Sequence, residues 1–333
     1  PYPGVQAQFI AQAEQHPGQV VVGMNDRDQR WHDVYRVDLA SGERTLLQQN
    51  PGYASILVDN DLEVRLATQQ TRAGGATLLK FVAGQWQPFL EIPPEDYFTT
   101  NIVGFDAGNS GFYMTDSRDR DTAALVHVDM DSGRSRDIAS SETADISSVL
   151  IHPRTHQVLA VAANRHQRIW KALDEDYQRD FDILEHSAGG DVDILATTLD
   201  GERWTVFVSR SDRSPVYAVY DRGEQALQQL FVTNPRLEGL ALAPKHNVVI
   251  PSRDGLELVS YLSLPPGSNG SARPAQPVPL VLLVHGGPWA RDQAGYSGEV
   301  QWRANRGYAV LQVNFRGSTG FGKNFTIAGN HEW

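Results

Sequence analysis

The chain of 333 residues contains no cysteine, which removes disulfides, thiolate nucleophiles and cysteine-based zinc sites together and leaves the compartment undecided. It has no cluster of lysine and arginine, and its formal charge is -11. That combination argues against a nucleic-acid groove and against an anionic-membrane surface, both of which need concentrated positive charge. Apolar runs such as Leu280 to Val284 fall far short of the roughly 20 residues that span a bilayer as a helix. No apolar signal core lies near Pro1, so the expectation is a soluble protein, cytoplasmic or periplasmic, with any targeting segment outside these residues. The chain also lacks Gly-x-Ser-x-Gly, the strand-to-helix elbow that exposes a serine nucleophile in α/β-hydrolases. The nearest approach, Gly295-Tyr296-Ser297-Gly298-Glu299, ends in glutamate and follows a loop instead of a buried strand, so Ser297 is rejected as a nucleophile.

What is present is a repeat. Before Arg236 a unit of strand, polar turn, strand, glycine turn and strand recurs five times, as in VVVGMNDRDQRWHDVYRVDLASGERTLL and FYMTDSRDRDTAALVHVDMDSGRSRDI. The turn glycines Gly42, Gly84, Gly133 and Gly223 are separated by 42, 49 and 90 residues. The last interval is two periods, and the fourth copy, near Asp176, has no glycine. A period of roughly 40 to 50 residues made of short alternating strands predicts propeller blades, each a four-stranded antiparallel sheet. Such a sheet is apolar on both faces and buries them only by stacking on its neighbours, whereas a β-sandwich needs no constant period. The expected fold is therefore a partial β-propeller of about five visible blades over residues 1–235. The first copy shows no obvious leading strand, which suggests further blades upstream.

Past Arg236 the pattern changes, and residues 236–333 read as the N-terminal part of an α/β-hydrolase domain. Alternating strands flank the Asp254-Gly255 hairpin signal, and a Pro, Gly and Ser-rich surface loop runs from Pro265 to Pro279. The run VPLVLLV then reads as a buried strand that breaks at His285-Gly286-Gly287-Pro288. A helix over part of Gly298 to Arg306, a second buried strand from Tyr308 to Asn314 and a glycine loop reaching Gly322 complete the pattern. A glycine turn at the end of a buried strand is how this fold offers backbone N–H groups to an oxyanion.

The motifs HGGPW, NRGYAV, NFRGSTGFGKNF and GNHEW, preceded by SRDGLELVSYLSLP and a propeller, resemble the prolyl oligopeptidase family of serine peptidases, and within it the acylaminoacyl-peptidase branch. The resemblance spans Lys245 to Trp333. It implies a propeller, usually of seven blades, that admits short peptides to a hydrolase domain bearing a Ser-Asp-His triad. By that comparison about two blades precede this chain and the greater part of the hydrolase, triad included, follows it. The segment alone should then be inactive, with an exposed apolar sheet edge that calls for a companion portion of the molecule. The resemblance places one oxyanion donor on the Gly287 N–H, the other being the N–H after the absent serine. A preorganised donor of this kind lowers a barrier by roughly 3 to 4 kcal/mol.

The same comparison makes His285, Gly286, Pro288, Arg316, Gly317 and Ser318 substrate-binding or site-supporting residues. His285 is expected to orient or pack, since a triad histidine comes later in the chain, and Arg316 to brace the absent portion through a carboxylate there. The dipeptidyl-peptidase branch holds a free amino terminus with adjacent glutamates, and this chain has no Glu-Glu pair, which weighs against that branch. Other constellations read as ordinary structure. His152 and His156 flank Pro153 in a turn, Asp129 and Asp131 repeat a hairpin that has Ala40 in place of the second acid, and Asp116 to Asp121 reads as a solvated inter-strand loop. No metal and no cofactor is expected. Peptide substrates are, and oligomerisation is left open. The other readings are a propeller binding module with a relic hydrolase lobe, and an esterase using the same oxyanion site.

Overall fold

The structure is a computed structural model that describes residues 3–268 and 272–332. Five small antiparallel meanders come first. The first sheet holds β1 to β4 (Ala7–Gln12, Gln19–Asp28, Trp31–Asp38, Arg44–Gln48), the second β5 to β8 (Ser55–Val58, Val64–Gln70, Ala76–Val82, Gln85–Ile92) and the third β9 to β12 (Asn101–Phe105, Gly111–Asp116, Ala124–Asp129, Ser135–Ala139). The fourth has three strands, β13 to β15 (Ile146–Ile151, Val158–Asn164, Arg168–Ala172), followed by helix α1 (Glu175–Ala188). The fifth returns to four, β16 to β19 (Asp191–Thr197, Arg203–Ser209, Val216–Asp221, Ala226–Val232). These are the blades of a β-propeller. Each forms because alternating apolar residues give a sheet with two faces to bury, and neighbouring blades supply the cover. Val21 and Val34 of the first blade pack with Ile56, Val58 and Leu79 of the second, as stacking requires.

Two expectations change here. The first blade does possess a leading strand: β1 pairs antiparallel with β2 across Ala7↔Met24 and Gln12↔Val20. Its sequence AQFIAQ is mostly exposed, so it lacks the apolar alternation that would have announced it. The fourth copy, which lacks the turn glycine, has a helix where the repeat calls for a fourth strand. Asp174 caps α1 by accepting from Asp176 N, Gly189 closes it in the left-handed conformation, and Tyr177, Phe181 and Leu184 fall on one buried stripe. The stripe meets Trp204, which is fully buried and donates its indole N–H to Gly201 O at 2.8 Å. Beside it, Tyr220 OH donates to the buried carboxylate of Asp180 at 2.8 Å, Arg222 Nε donates to the same group at 2.8 Å, and the guanidinium lies 3.9 Å from the Tyr177 ring centre. Burial and the adjacent Asp180 push the Tyr220 phenol well above its ordinary range.

Two compact units carry these sheets. One holds the first three blades, with residues up to Asp119 and Leu125–Ile138. The other takes Arg120–Ala124 and the residues from Ala139 onward, and so includes the fourth and fifth blades together with a last, mixed sheet. That sheet has the order β20-β21-β23-β22, built from β20 (Lys245–Pro251), β21 (Glu257–Ser263), β22 (Leu280–Leu283) and β23 (Ala309–Val313), with α2 (Gly298–Ala304) and α3 (Lys323–Ile327) beside it. β22 and β23 are parallel and the other pairs antiparallel, the start of an α/β-hydrolase sheet. β23 is buried as expected, but β22 is an edge strand with Leu280 57% and Leu282 58% exposed. The run reads as a core strand because parallel strands are normally covered on both faces, and among the described residues β23 is its one neighbour in the sheet. No helix among the described residues is long and apolar enough to cross a membrane.

If α1 is part of the blade core, Phe181→Ala should destabilise strongly. Phe181 is buried between Trp170 and Trp204, each with its ring centre at 5.4 Å, and a cavity of that size costs about 3 to 5 kcal/mol. Denaturant unfolding measures it, and an unchanged midpoint would place the helix outside the core.

Candidate active site

The chain leaves β22 and turns sharply at His285-Gly286-Gly287-Pro288. Gly287 has φ +144°, and a Cβ there would lie 2.8 Å from Trp289 N, so this backbone path requires glycine. Gly286 and Gly287 are exposed. Among the described residues no acceptor takes the Gly287 N–H, while two residues further on Ala290 N donates to Pro288 O at 2.7 Å. The turn thus leaves the N–H of an exposed glycine without an internal acceptor among the described residues, at the carboxyl end of a parallel strand.

His285 lies against this turn. Its ring stacks on Phe315 with centres 4.5 Å apart and planes at 20°. Nδ1 lies 3.0 Å from Gly286 O, and Nε2 lies 2.9 Å from Ser318 Oγ. A carbonyl can only accept, so Nδ1 carries the proton, Nε2 accepts, and the Ser318 hydroxyl donates. Ser318 is fully buried. It sits in a loop tied down by Ser318 N to Phe315 O and Gly317 N to Phe325 O, both at 2.9 Å. The pair is a serine with a histidine, yet its geometry is not that of a nucleophile. Substrate cannot reach Ser318, and Nδ1 meets a carbonyl where a triad would place a carboxylate. His285 therefore orients the turn. Arg316 has its carboxylate within the chain: Nη2 donates to Asp254 Oδ2 at 2.8 Å. The Ser252 hydroxyl and Arg316 together hold the Asp254 carboxyl down at about 2.

Behind the turn lies a polar cluster that the sequence reading did not single out. Asp292 N donates to Asn314 Oδ1 at 2.8 Å, and Gln312 Nε2 donates to Asp292 Oδ1. Asp292 Oδ2 is buried without a hydrogen-bond partner among the described residues, and burial pushes this carboxyl up. Lys245 Nζ donates to Gln293 O at 2.7 Å. Burial lowers its ammonium to about 8, partly offset by Asp292 and Asp191. Arg291 reaches the hairpin between β14 and β15. The signal for all this was the Arg291-Asp292 pair one residue after HGGPW, two adjacent opposite charges.

The remaining candidates resolve as local structure. Ser297 caps α2 by accepting from Val300 N at 3.4 Å. His152 Nδ1 accepts from Arg154 N and Thr155 N, each at 3.2 Å, closing its own turn. Asp38 and Asp129 accept from Ser41 and Ser132 in matching hairpin turns. The charged run is less solvated than its letters suggest. Asp116 is buried against Arg118, and Asp121 caps α3, its carboxylate accepting from Asn324 N at 2.8 Å and its carbonyl from Lys323 N at 2.9 Å. A cavity of about 850 Å³ opens on the fifth blade among Val208, Arg210, Val216, Leu227 and Leu240, and no residue of 285–288 lines it.

The family model described as the prolyl oligopeptidase family matches residues 294–333. Dipeptidyl aminopeptidase BIII of Pseudoxanthomonas mexicana is 47% identical over 100% of this chain and 49% of its own length. Dipeptidyl peptidase family member 6 of Caenorhabditis elegans is 32% identical over 94% of this chain and 46% of its own length. The chain thus spans about half the length of these curated relatives. A puromycin-hydrolyzing peptidase of Mycobacterium tuberculosis shares the fold, with a TM-score of 0.69 at 13% identity over 99% of this chain and 53% of that one.

Lys245 gives the cluster a pH signature. An ammonium depressed from 10.5 to about 8 on folding binds its proton more weakly in the folded chain, so its penalty is full below pH 8 and relieved as pH rises through 10.5. The denaturation midpoint of the parent should climb across that window relative to Lys245→Met, and parallel profiles would refute the assignment.

Proposed function

Because the chain belongs to the prolyl oligopeptidase family, we propose that it supplies the propeller gate and one oxyanion donor, the Gly287 N–H, of a serine peptidase acting on short peptides. The reading rests on one observation: the N–H of an exposed glycine, without an acceptor among the described residues, held in a positive-φ turn at the end of a parallel strand. In the proposed reaction a serine outside these residues, activated by a histidine, adds its Oγ to the scissile carbonyl carbon. The hydroxyl proton passes to the histidine and then to the leaving amine, and water hydrolyses the acyl-enzyme. Gly287 N–H donates to the carbonyl oxygen as it gains negative charge, together with the N–H that follows the serine. Gly286 and Gly287 present no side chain to an approaching carbonyl, and His285, held by Ser318, keeps the turn in register.

Two branches of the family compete for the substrate. The HGGPW and NFRGSTGFG motifs resemble the acylaminoacyl-peptidase branch, whereas both sequence relatives carry dipeptidyl-peptidase names. Their identity extends through the blades, where access is governed, and this favours release of dipeptides from a free amino terminus. These residues hold no adjacent Glu-Glu pair, so the reading assigns none of them to the substrate ammonium.

In the full-length protein, Gly287→Ala keeps the N–H but strains the turn that aims it; it should lower kcat by about 10²-fold and slow covalent labelling by a fluorophosphonate, with dipeptidyl anilides cleaved in preference to acylated ones. Parental kcat in the variant would remove Gly287 from the reaction, and a parent that neither reacts with the probe nor cleaves peptides would end the peptidase reading.

A further inference from the structure

Arg291, four residues beyond Gly287, ends on main chain instead of on a carboxylate. Its Nη1 donates to Asn164 O at 2.6 Å and its Nη2 to Arg165 O at 2.9 Å, both in the hairpin between β14 and β15 of the fourth blade. The guanidinium stacks over Phe321 at 4.2 Å. The glycine loop is shaped around it, since a Cβ on Gly320 would come within 2.6 Å of Nη1. The segment leading back to the turn is fastened on the other side, with Thr319 N donating to Ala290 O at 3.0 Å and Asp292 N to Asn314 Oδ1 at 2.8 Å. The hairpin itself is held by Tyr261 OH, which donates to His166 O at 2.8 Å. Blade and catalytic lobe belong to one compact unit here.

Burying a cation is costly unless its donors are matched. A guanidinium, with its fixed fork of N–H groups, can satisfy two adjacent carbonyls at once, where an ammonium is a single point. We infer that Arg291 is a positioning residue that fixes the Gly287 N–H against the fourth blade, so that the β14–β15 hairpin sets the placement of the oxyanion donor and the propeller takes part in catalysis beyond admitting substrate. The inference rests on the proposed role of Gly287. It assigns no contact between Arg291 and substrate; a donor held through a lever four residues long is sensitive because about 1 Å of misplacement costs of order 10²-fold in rate.

The test compares the full-length enzyme with Arg291→Lys, Arg291→Gln and Arg291→Ala on one dipeptidyl anilide. Arg291→Lys should lower kcat by about tenfold or more while KM stays within about threefold, and added ethylguanidinium should restore kcat in Arg291→Ala. Arg291→Gln, uncharged and keeping one amide donor, carries the same expectation if the lysine variant does not fold. Parental kcat in a folded variant, or a loss carried wholly in KM, overturns the anchor and leaves the peptidase reading intact. A parent without peptidase activity overturns both.

Discussion

The Gly287 N–H meets no acceptor among the described residues, and the turn that carries it is tied down by its neighbours. A backbone N–H without an acceptor is tolerated where solvent or a ligand can reach it, and it stays in place only if its neighbours cannot move to satisfy it. Around Gly287 the restraints are visible: the His285 ring donates to Gly286 O and accepts from the Ser318 hydroxyl, Ala290 is tied to Thr319, and Asp292 to Asn314. The glycines of the following loop serve that arrangement, because Gly320 leaves the room that the Arg291 guanidinium occupies.

Much of the fold was legible because propeller blades announce themselves twice, in the two-residue alternation of their strands and in the glycines of their turns. Gly42 and Gly133 lie at positive φ after Asp38 and Asp129, so their spacing followed a real geometric need. The reading failed where the signal was of another kind. β1 is exposed and carries little alternation, and α1 replaced a strand behind a cap, Asp174, and an apolar stripe, Tyr177, Phe181 and Leu184, that a search for helical spacing would have found.

The site was legible in its glycines and less so in its charges. Glycine at a strained φ is a demand of the backbone and shows in the letters. Partners distant in sequence do not, so the Ser318 bond to His285 and the Arg316 pair with Asp254 had to come from the folded chain. Asp121, which looked like one more solvated acid, turned out to cap a helix about 200 residues away, since the N-cap position of α3 is Gly322, which brings no side chain of its own to the task.

That cap has a consequence for how the polypeptide can be divided. Arg120–Ala124 is lent by the third blade to the unit that otherwise begins at Ala139, so the two bodies are interleaved along the backbone instead of following each other. A clone begun at Ala139 would lack the segment that terminates α3 and, through Ala123 N, the donor that meets the Asp145 carboxylate at 2.7 Å. The boundary of an autonomous piece is therefore not a point on the sequence, because the second unit takes Arg120–Ala124 as well as the residues from Ala139 onward.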